Sequence, residues 1–339
     1  MLCTYRSYDL QLKNVFTISR ESYDVQPTVI VKLEWEGFYG LGECTTNLFY
    51  HVSSSYLEEK LAKAALFLRD YPFTDPEKLH GDITAFMPND PFVVCAIDLA
   101  AWDLYAKMKN LPLYQVWGLQ WENTPLTNFT IGIDTIEVMV NKMKEMPWPI
   151  YKIKLGTDRD MDIIKALRQH TSSVFRIDAN CAWDAATTIA YSGPLKDMGV
   201  EFIEQPIGAN DYEEAARAYQ GSKLPIIADE SCQVEEDVAR CKDRFHGINI
   251  KLVKCGGLTP ALRMIREARR YGMSVMVGCM TESSVGISAI AHLLPLLDYV
   301  DMDGAMLLKE DIARGVVIEN GVCHQPLNPG TGVEMVVPL

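Results

Sequence analysis

The sequence predicts an α/β protein: a (β/α)8 barrel with a shortened last unit, preceded by a smaller α+β unit. Three observations lead there. From about residue 119 onward, short apolar β-like runs alternate with helical patterns, and eight such runs occur. Five charged residues, Lys154, Asp178, Glu204, Asp229 and Lys251, sit within or at the end of successive runs. Each lies roughly 25 residues from the next, which fits one strand, one helix and two short loops. The length of 339 residues suits one barrel plus a smaller unit.

The elements justify this reading in order. Residues 1 to about 45 look like a β meander: Val29 to Trp35 is apolar and then alternates, Glu36-Gly37 turns, and Phe38 to Glu43 returns. Gly40-x-Gly42 lacks the third glycine and the preceding βα context of a dinucleotide loop, and is read as a tight turn. Residues 54–70 form an amphipathic helix with serine near its start, and Pro91 to Asn110 a more buried one. Asp98 and Asp103 in that second helix are read as structural pairs or surface charges. Together these make an α+β unit over residues 1–118. The barrel spans 119–314. Its strands are expected at Thr127–Ile131, Ile150–Leu155, Val174–Asp178, Phe202–Glu204, Ile226–Asp229, Ile248–Leu252, Ser274–Gly278 and Tyr299–Asp303. Seven helical patterns fall between them, and an eighth is hard to see. The tail, about 315–339, carries a Glu-Asn-Gly turn at 319–321 and is expected to rejoin the N-terminal unit.

Composition narrows the function. Apolar content of 48% and charged content of 23% are those of an ordinary globular protein. A formal net charge of −13 argues against nucleic-acid or anionic-membrane partners. No run of about 18 apolar residues occurs, so no membrane span is expected, and the N-terminus does not read as a signal peptide. The nine cysteines are odd in number and include no Cys-x-x-Cys pair. They are read as buried free thiols in a reducing cytosol, so a cytoplasmic protein is expected.

In a parallel barrel all strand C-termini share one face, and the five charged residues converge there. A lone carboxylate after a strand is more often a helix cap or an ion-pair member. Three in succession, Asp178, Glu204 and Asp229, with no arginine beside them, read as a cation site. Oxygen-only ligands favour Mg2+, and no pair of the six histidines has the ligand spacing that zinc would want. Lys152 and Lys154 alternate by two and share one face of their strand. Lys251 lies across the barrel from them. Two amines on opposite sides of a metal-bound centre suit a two-base proton transfer.

These residues resemble the enolase superfamily, specifically its muconate-lactonising subgroup. The resemblance rests on Lys152-x-Lys154, Asp178-Ala-Asn180-x-x-Trp183, Glu204-Gln205-Pro206, Asp229-Glu230-Ser231, Lys251 and the helix text Ala96-Ile-Asp-Leu-Ala-Ala-Trp-Asp-Leu, and covers nearly the whole chain. It implies that the α+β unit is a capping domain closed over the barrel. It also implies abstraction of a proton α to a carboxylate, with an enediolate stabilised by Mg2+; that chemistry is the known pattern of the superfamily and is not read from spacing.

Within the subgroup, Asp301-x-Asp303 resembles the mark of dipeptide epimerases, where the two carboxylates hold the substrate's free ammonium. Thr130, Cys279 and Thr281 match substrate contacts of the same family. The loops Phe16–Glu21 and Asn47–Tyr50 are expected to cover the site, and Arg20 is a candidate partner for an acidic substrate side chain. The resemblance thus implies epimerisation of a dipeptide at the α-carbon of its C-terminal residue, foremost L-Ala-D/L-Glu. Lys154 and Lys251 would be the acid/base pair, with Lys152 beside the substrate carboxylate. It further suggests cell-wall peptide recycling and a homo-oligomer. The alternatives are an o-succinylbenzoate synthase, an N-acylamino-acid racemase or a cycloisomerase of the same subgroup. Their substrates carry no free ammonium and leave the two aspartates without a role. A non-catalytic binding barrel is disfavoured by the intact set of ligands and bases.

Overall fold

The structure is a computed structural model, and residues 1–18 and 21–339 are described. Three antiparallel strands open the chain: β1 (Leu2–Thr17), β2 (Ser22–Trp35) and β3 (Phe38–Thr45), with Glu36-Gly37 as the turn between the last two. Three helices follow: α1 (Ser54–Leu68), α2 (Pro76–Phe86) and α3 (Pro91–Met108). The sequence reading missed α2, although its start is well signalled. Pro76 occupies the first turn, and the Asp75 side chain accepts a hydrogen bond from Lys78 N. The short α4 (Leu113–Val116) leads to the barrel.

The tight-turn reading of Gly40-x-Gly42 is wrong. Both glycines lie inside β3, where the strand presses against α3. A Cβ on Gly40 would sit 2.0 Å from Ala100 O, and one on Gly42 would sit 1.9 Å from Ala96 O. Only glycine lets strand and helix backbones approach this closely. Asp103 on α3 accepts from Leu41 N at 2.8 Å and Thr331 N at 2.7 Å, tying helix, sheet and tail together. Asp98 accepts from Thr259 N at 2.9 Å and from the Thr259 hydroxyl at 2.6 Å, which joins α3 to the barrel. Both aspartates are therefore structural.

The barrel repeats eight times: β4 (Phe129–Ile131), α5 (Ile136–Glu145), β5 (Ile150–Lys154), α6 (Asp160–Arg168), β6 (Val174–Asp178), α7 (Ala185–Asp197), β7 (Val200–Glu204), α8 (Tyr212–Gly221), β8 (Ile226–Ala228), α9 (Glu235–Cys241), β9 (Gly247–Ile250), α10 (Leu252–Cys255), α11 (Leu258–Arg270), β10 (Ser274–Gly278), α12 (Ser284–Ala291) and β11 (Tyr299–Asp301). The eight strands form one parallel sheet in sequential order. A bridge between Thr127 and Val300 joins its two ends. The last unit is shortened: after β11 a single 3-10 turn, Gly304–Leu307, stands where an eighth helix would be. The chain then returns to the first sheet, with Leu308 bridging Leu12 and Pro338 O accepting from Arg6 at 2.9 Å and Tyr8 at 2.6 Å. No helix among the described residues is long and apolar enough to cross a membrane.

Candidate active site

Strand register builds the site before any side chain is placed. Lys154 on β5 pairs with Asp178 on β6, and Asp178 pairs with Glu204 on β7. Three charged residues therefore lie in one row near the strand C-termini. Thr130 on β4 pairs with Lys152, one step deeper. Asp229 follows β8 and Lys251 follows β9, so the row continues around the barrel. Asp178, Glu204 and Asp229 offer carboxylate oxygens that all lie within 4.8 Å of one another, and all three are buried.

Three buried carboxylates this close need positive charge, and lysines supply part of it. Lys154 Nζ lies 2.6 Å from Asp178, and Lys251 Nζ lies 2.9 Å from Asp229. Lys152 Nζ lies 3.1 Å from Asp178, 2.8 Å from Glu204 and 2.9 Å from Asp301. Burial acts to neutralise Lys152, yet these three carboxylates hold its ammonium well above the ordinary lysine range. Burial likewise opposes charge on Asp178, but Lys154 and Lys152 hold it well below the usual carboxylate range. Lys251 and Lys254 do the same for Asp229. Glu204 differs: burial and then Asp178 push it up to about 7.

Glu204 also carries the observation that tests a cation. Its Oε1 accepts from Asn249 Nδ2 at 2.8 Å, while Oε2 is buried without a hydrogen-bond donor. Oε2 has instead the Lys152 ammonium, 2.8 Å away, as an ion-pair partner. A buried carboxylate oxygen held by charge alone, beside two other carboxylates, fits a hard divalent ion, whose opposing oxygen ligands stand roughly 4 Å apart. The donor set is all oxygen, which fits Mg2+ and not a thiophilic metal.

Above the row lies a cavity of about 310 Å3 between the barrel and the first sheet. Thr130, Lys152, Lys154, Asp229, Lys251, Cys279, Thr281, Asp301 and Asp303 all line it, while Asp178 and Glu204 lie buried at the same end of the barrel. Arg20 falls outside the described residues. Residues of both expected covering loops, including Phe16, Ile18, Glu21 and Asn47 to Tyr50, form the opposite wall. At the β11 end, Asp301 accepts from Asn128 Nδ2 at 2.8 Å, and Asp303 Oδ2 accepts from Thr130 N at 2.5 Å. Burial and then Asp301 push Asp303 up to about 8.

Sequence reasoning missed several members. Lys254, three residues past Lys251, donates to Asp229 O at 2.6 Å and also pairs with the Asp229 carboxylate. Its spacing, one helical turn from Lys251, was the available signal. Asn249 orients Glu204 from the next strand but one, a contact no local pattern reveals. Tyr23 on β2 lines the cavity, with its hydroxyl 3.0 Å from Thr281 Oγ1. Glu43 on β3 accepts from Ser283 N at 3.0 Å and Gly286 N at 2.9 Å, holding the first sheet to the start of α12.

Comparisons with known proteins agree with this architecture. Residues 4–118 match the family described as Mandelate racemase / muconate lactonizing enzyme, N-terminal domain. Residues 136–337 match Enolase C-terminal domain-like. A relative from Flavobacterium johnsoniae, named L-Ala-D/L-amino acid epimerase, is 54% identical over 97% of this chain and 98% of its own. The substrate-liganded L-Ala-D/L-Glu epimerase of Bacillus subtilis superposes with a TM-score of 0.92 at 25% identity, covering 98% of each chain. The dipeptide epimerase of Enterococcus faecalis, complexed with Mg and L-Leu-L-Tyr, superposes with a TM-score of 0.91 at 30% identity, again over 98% of each chain. The chain belongs to the enolase superfamily, in its mandelate racemase and muconate lactonizing enzyme branch.

Proposed function

We propose that this protein is a Mg2+-dependent dipeptide epimerase, an isomerase that inverts the α-carbon of a dipeptide's C-terminal residue by 1,1-proton transfer. The observation that carries this reading is the placement of Lys154 and Lys251. They come from the second and sixth of eight barrel strands, so they face the cavity from opposite sides of the carboxylate row. The kinship with enzymes named L-Ala-D/L-amino acid epimerase and dipeptide epimerase supports it. The proposed substrate is L-Ala-D/L-Glu, and the name of the Flavobacterium relative supports a wider choice of second residue.

Asp178, Glu204 and Asp229 would hold Mg2+, which when bound stabilises the negative charge that develops on the substrate carboxylate as the α-proton leaves. The remaining steps belong to side chains. One of Lys154 and Lys251, as the free amine, takes the α-proton from its face. The other, as ammonium, delivers a proton to the opposite face, and the roles exchange for the reverse reaction. Lys152, kept charged by its three carboxylate neighbours, adds positive charge beside the substrate carboxylate. Asp301 and Asp303 would hold the free ammonium, and Thr130, Cys279 and Thr281 would contact the dipeptide. Arg20 is the proposed partner of an acidic second residue. The proposed division is a capping domain over residues 1–118, rejoined by about 315–339, and a barrel over 119–314.

Proton NMR of L-Ala-L-Glu with Mg2+ in D2O tests the reading. Loss of the glutamate α-proton signal with a change in optical rotation is expected. An unchanged signal across L-Ala-L-Xaa dipeptides would sink it.

A further inference from the structure

A second cavity of about 250 Å3 lies beside the main one, between β1 and α5. Phe16, Thr130 and Leu307 line both cavities. Phe129, Met146 and Met306 contribute apolar wall to the second cavity, and the exposed Lys13 and Glu145 stand at its mouth. The partition between the two is continuous with Asp303. That residue precedes the turn Gly304–Leu307, and its carbonyl accepts from Met306 N at 2.8 Å. Its carboxylate accepts from Thr130 N at 2.5 Å. The residue assigned to the substrate ammonium is thus held by both stretches that divide the cavities, its carboxylate by Thr130 N and its carbonyl by Met306 N.

The partition is anchored from β1 as well. Lys13 Nζ donates to Met306 O at 3.0 Å, and Lys309 N donates to Gln11 O at 2.8 Å. Leu307 itself is half-buried and takes no part in the hydrophobic cluster that its neighbour Leu308 forms with Leu10 and Leu12. Its side chain faces cavity on both sides and not core. An α-carbon bonded to an ammonium at Asp303 lies one bond away from it. A side chain on that carbon is therefore within reach of the partition, whose Thr130 and Leu307 line both cavities.

We propose that the second cavity is an annex for the side chain of the dipeptide's first residue, closed by Leu307. On this assignment Leu307 is a specificity-determining residue that keeps the first residue small. The inference rests on the assignment of Asp301 and Asp303 to the substrate ammonium.

The test compares kcat/KM for L-Ala-L-Glu and L-Leu-L-Glu in the full-length Mg2+-loaded protein, its Leu307→Ala variant and the double variant Leu307→Ala/Met146→Trp, with thermal melts to verify folding. Leu307→Ala is expected to raise the Leu-to-Ala ratio by about tenfold or more, the scale on which apolar pockets discriminate. Tryptophan at 146 refills the annex and is expected to restore the original ratio. A folded Leu307→Ala variant with an unchanged ratio overturns the annex alone. So does a gain that survives the double substitution, because it would then come from a widened main cavity. A wild type that exchanges no α-proton on any L-Ala-L-Xaa dipeptide overturns both the annex and the proposed function.

Discussion

Two triads of metal-type ligands face one another across the barrel mouth, and they are built differently. Asp178, Glu204 and Asp229 lie within 4.8 Å of one another, and so do Cys279, Asp301 and Asp303. The first triad is surrounded by Lys152, Lys154, Lys251 and Lys254, and its two aspartates are held ionised. Among the described residues the second forms an ion pair with Lys152, through Asp301, with Lys154 acting on Asp301 from farther away, and its Asp303 is pushed up to about 8 by burial and Asp301. Burial pushes the Cys279 thiol well above its usual range too. The first group thus sets two ionised aspartates beside a Glu204 carboxyl that burial and then Asp178 push up to about 7. In the second, burial opposes charge on Asp301 too, but Lys152 holds it below the usual carboxylate range, beside the raised Asp303. The difference teaches that equal ligand spacing does not make equal sites. The lysines around each cluster give it a different balance of charge.

The contrast can be broken most forcefully at the lysines. Lys154→Ala is expected to lower kcat for α-proton exchange by about 10^3-fold, with Mg2+ still bound. Single-turnover exchange in D2O, followed by NMR alongside Mg2+ titration calorimetry, checks this. Full activity in that variant would end the two-base assignment.

A smaller loss is expected from Glu204→Gln. Replacing the carboxylate by an uncharged amide should weaken Mg2+ binding by about 10^2-fold. Asp303→Asn should leave that affinity unchanged, and calorimetry on both variants separates the triads directly. If the two substitutions weaken Mg2+ equally, the division of labour is wrong.

Asp303→Asn is instead expected to raise KM for L-Ala-L-Glu by about tenfold to a hundredfold, the worth of a charge-assisted hydrogen bond. The residual turnover of an N-acetylated dipeptide should be unaffected. An equal change for both substrates would assign Asp303 to the fold.

The smallest effect concerns Glu282, which follows Thr281 and neighbours Glu43. Burial and then Glu43 push its carboxyl from 4.5 up to about 8. The folded state then holds a proton that the unfolded chain has already released, so stability falls as pH rises from about 4.5 to about 8 and levels off above. Glu282→Gln should flatten part of that slope in melting temperatures measured at pH 5, 6, 7 and 8. An unchanged slope would move the effect to other buried acids such as Asp98, pushed up to about 7.

Much of the fold was legible because the barrel strands are short apolar runs punctuated at a steady interval, and all eight occur within a few residues of where the pattern places them. The capping unit was less legible. α2 was missed although its buried Pro76, Leu79, His80 and Ile83 keep helical spacing; the element is only eleven residues long, one of its stripe positions is a histidine, and Gly81 interrupts it. Gly40 and Gly42 misled because glycine serves turns and close backbone approach alike, and only the presence of α3 distinguishes them.

The sequence by itself determined the row of charges, since period-two strands and a constant repeat length place Lys154, Asp178, Glu204, Asp229 and Lys251 at one end of any parallel barrel. Tertiary structure alone decided which charges neutralise which. Lys152 pairs with Asp301, 149 residues away, because barrel closure brings the second and eighth strands within reach across the interior. Asn249 reaches Glu204 across the intervening β8, and Glu43 reaches α12 because the first sheet packs on the barrel. Electrostatic energy depends on distance in space and on burial, and local sequence encodes neither.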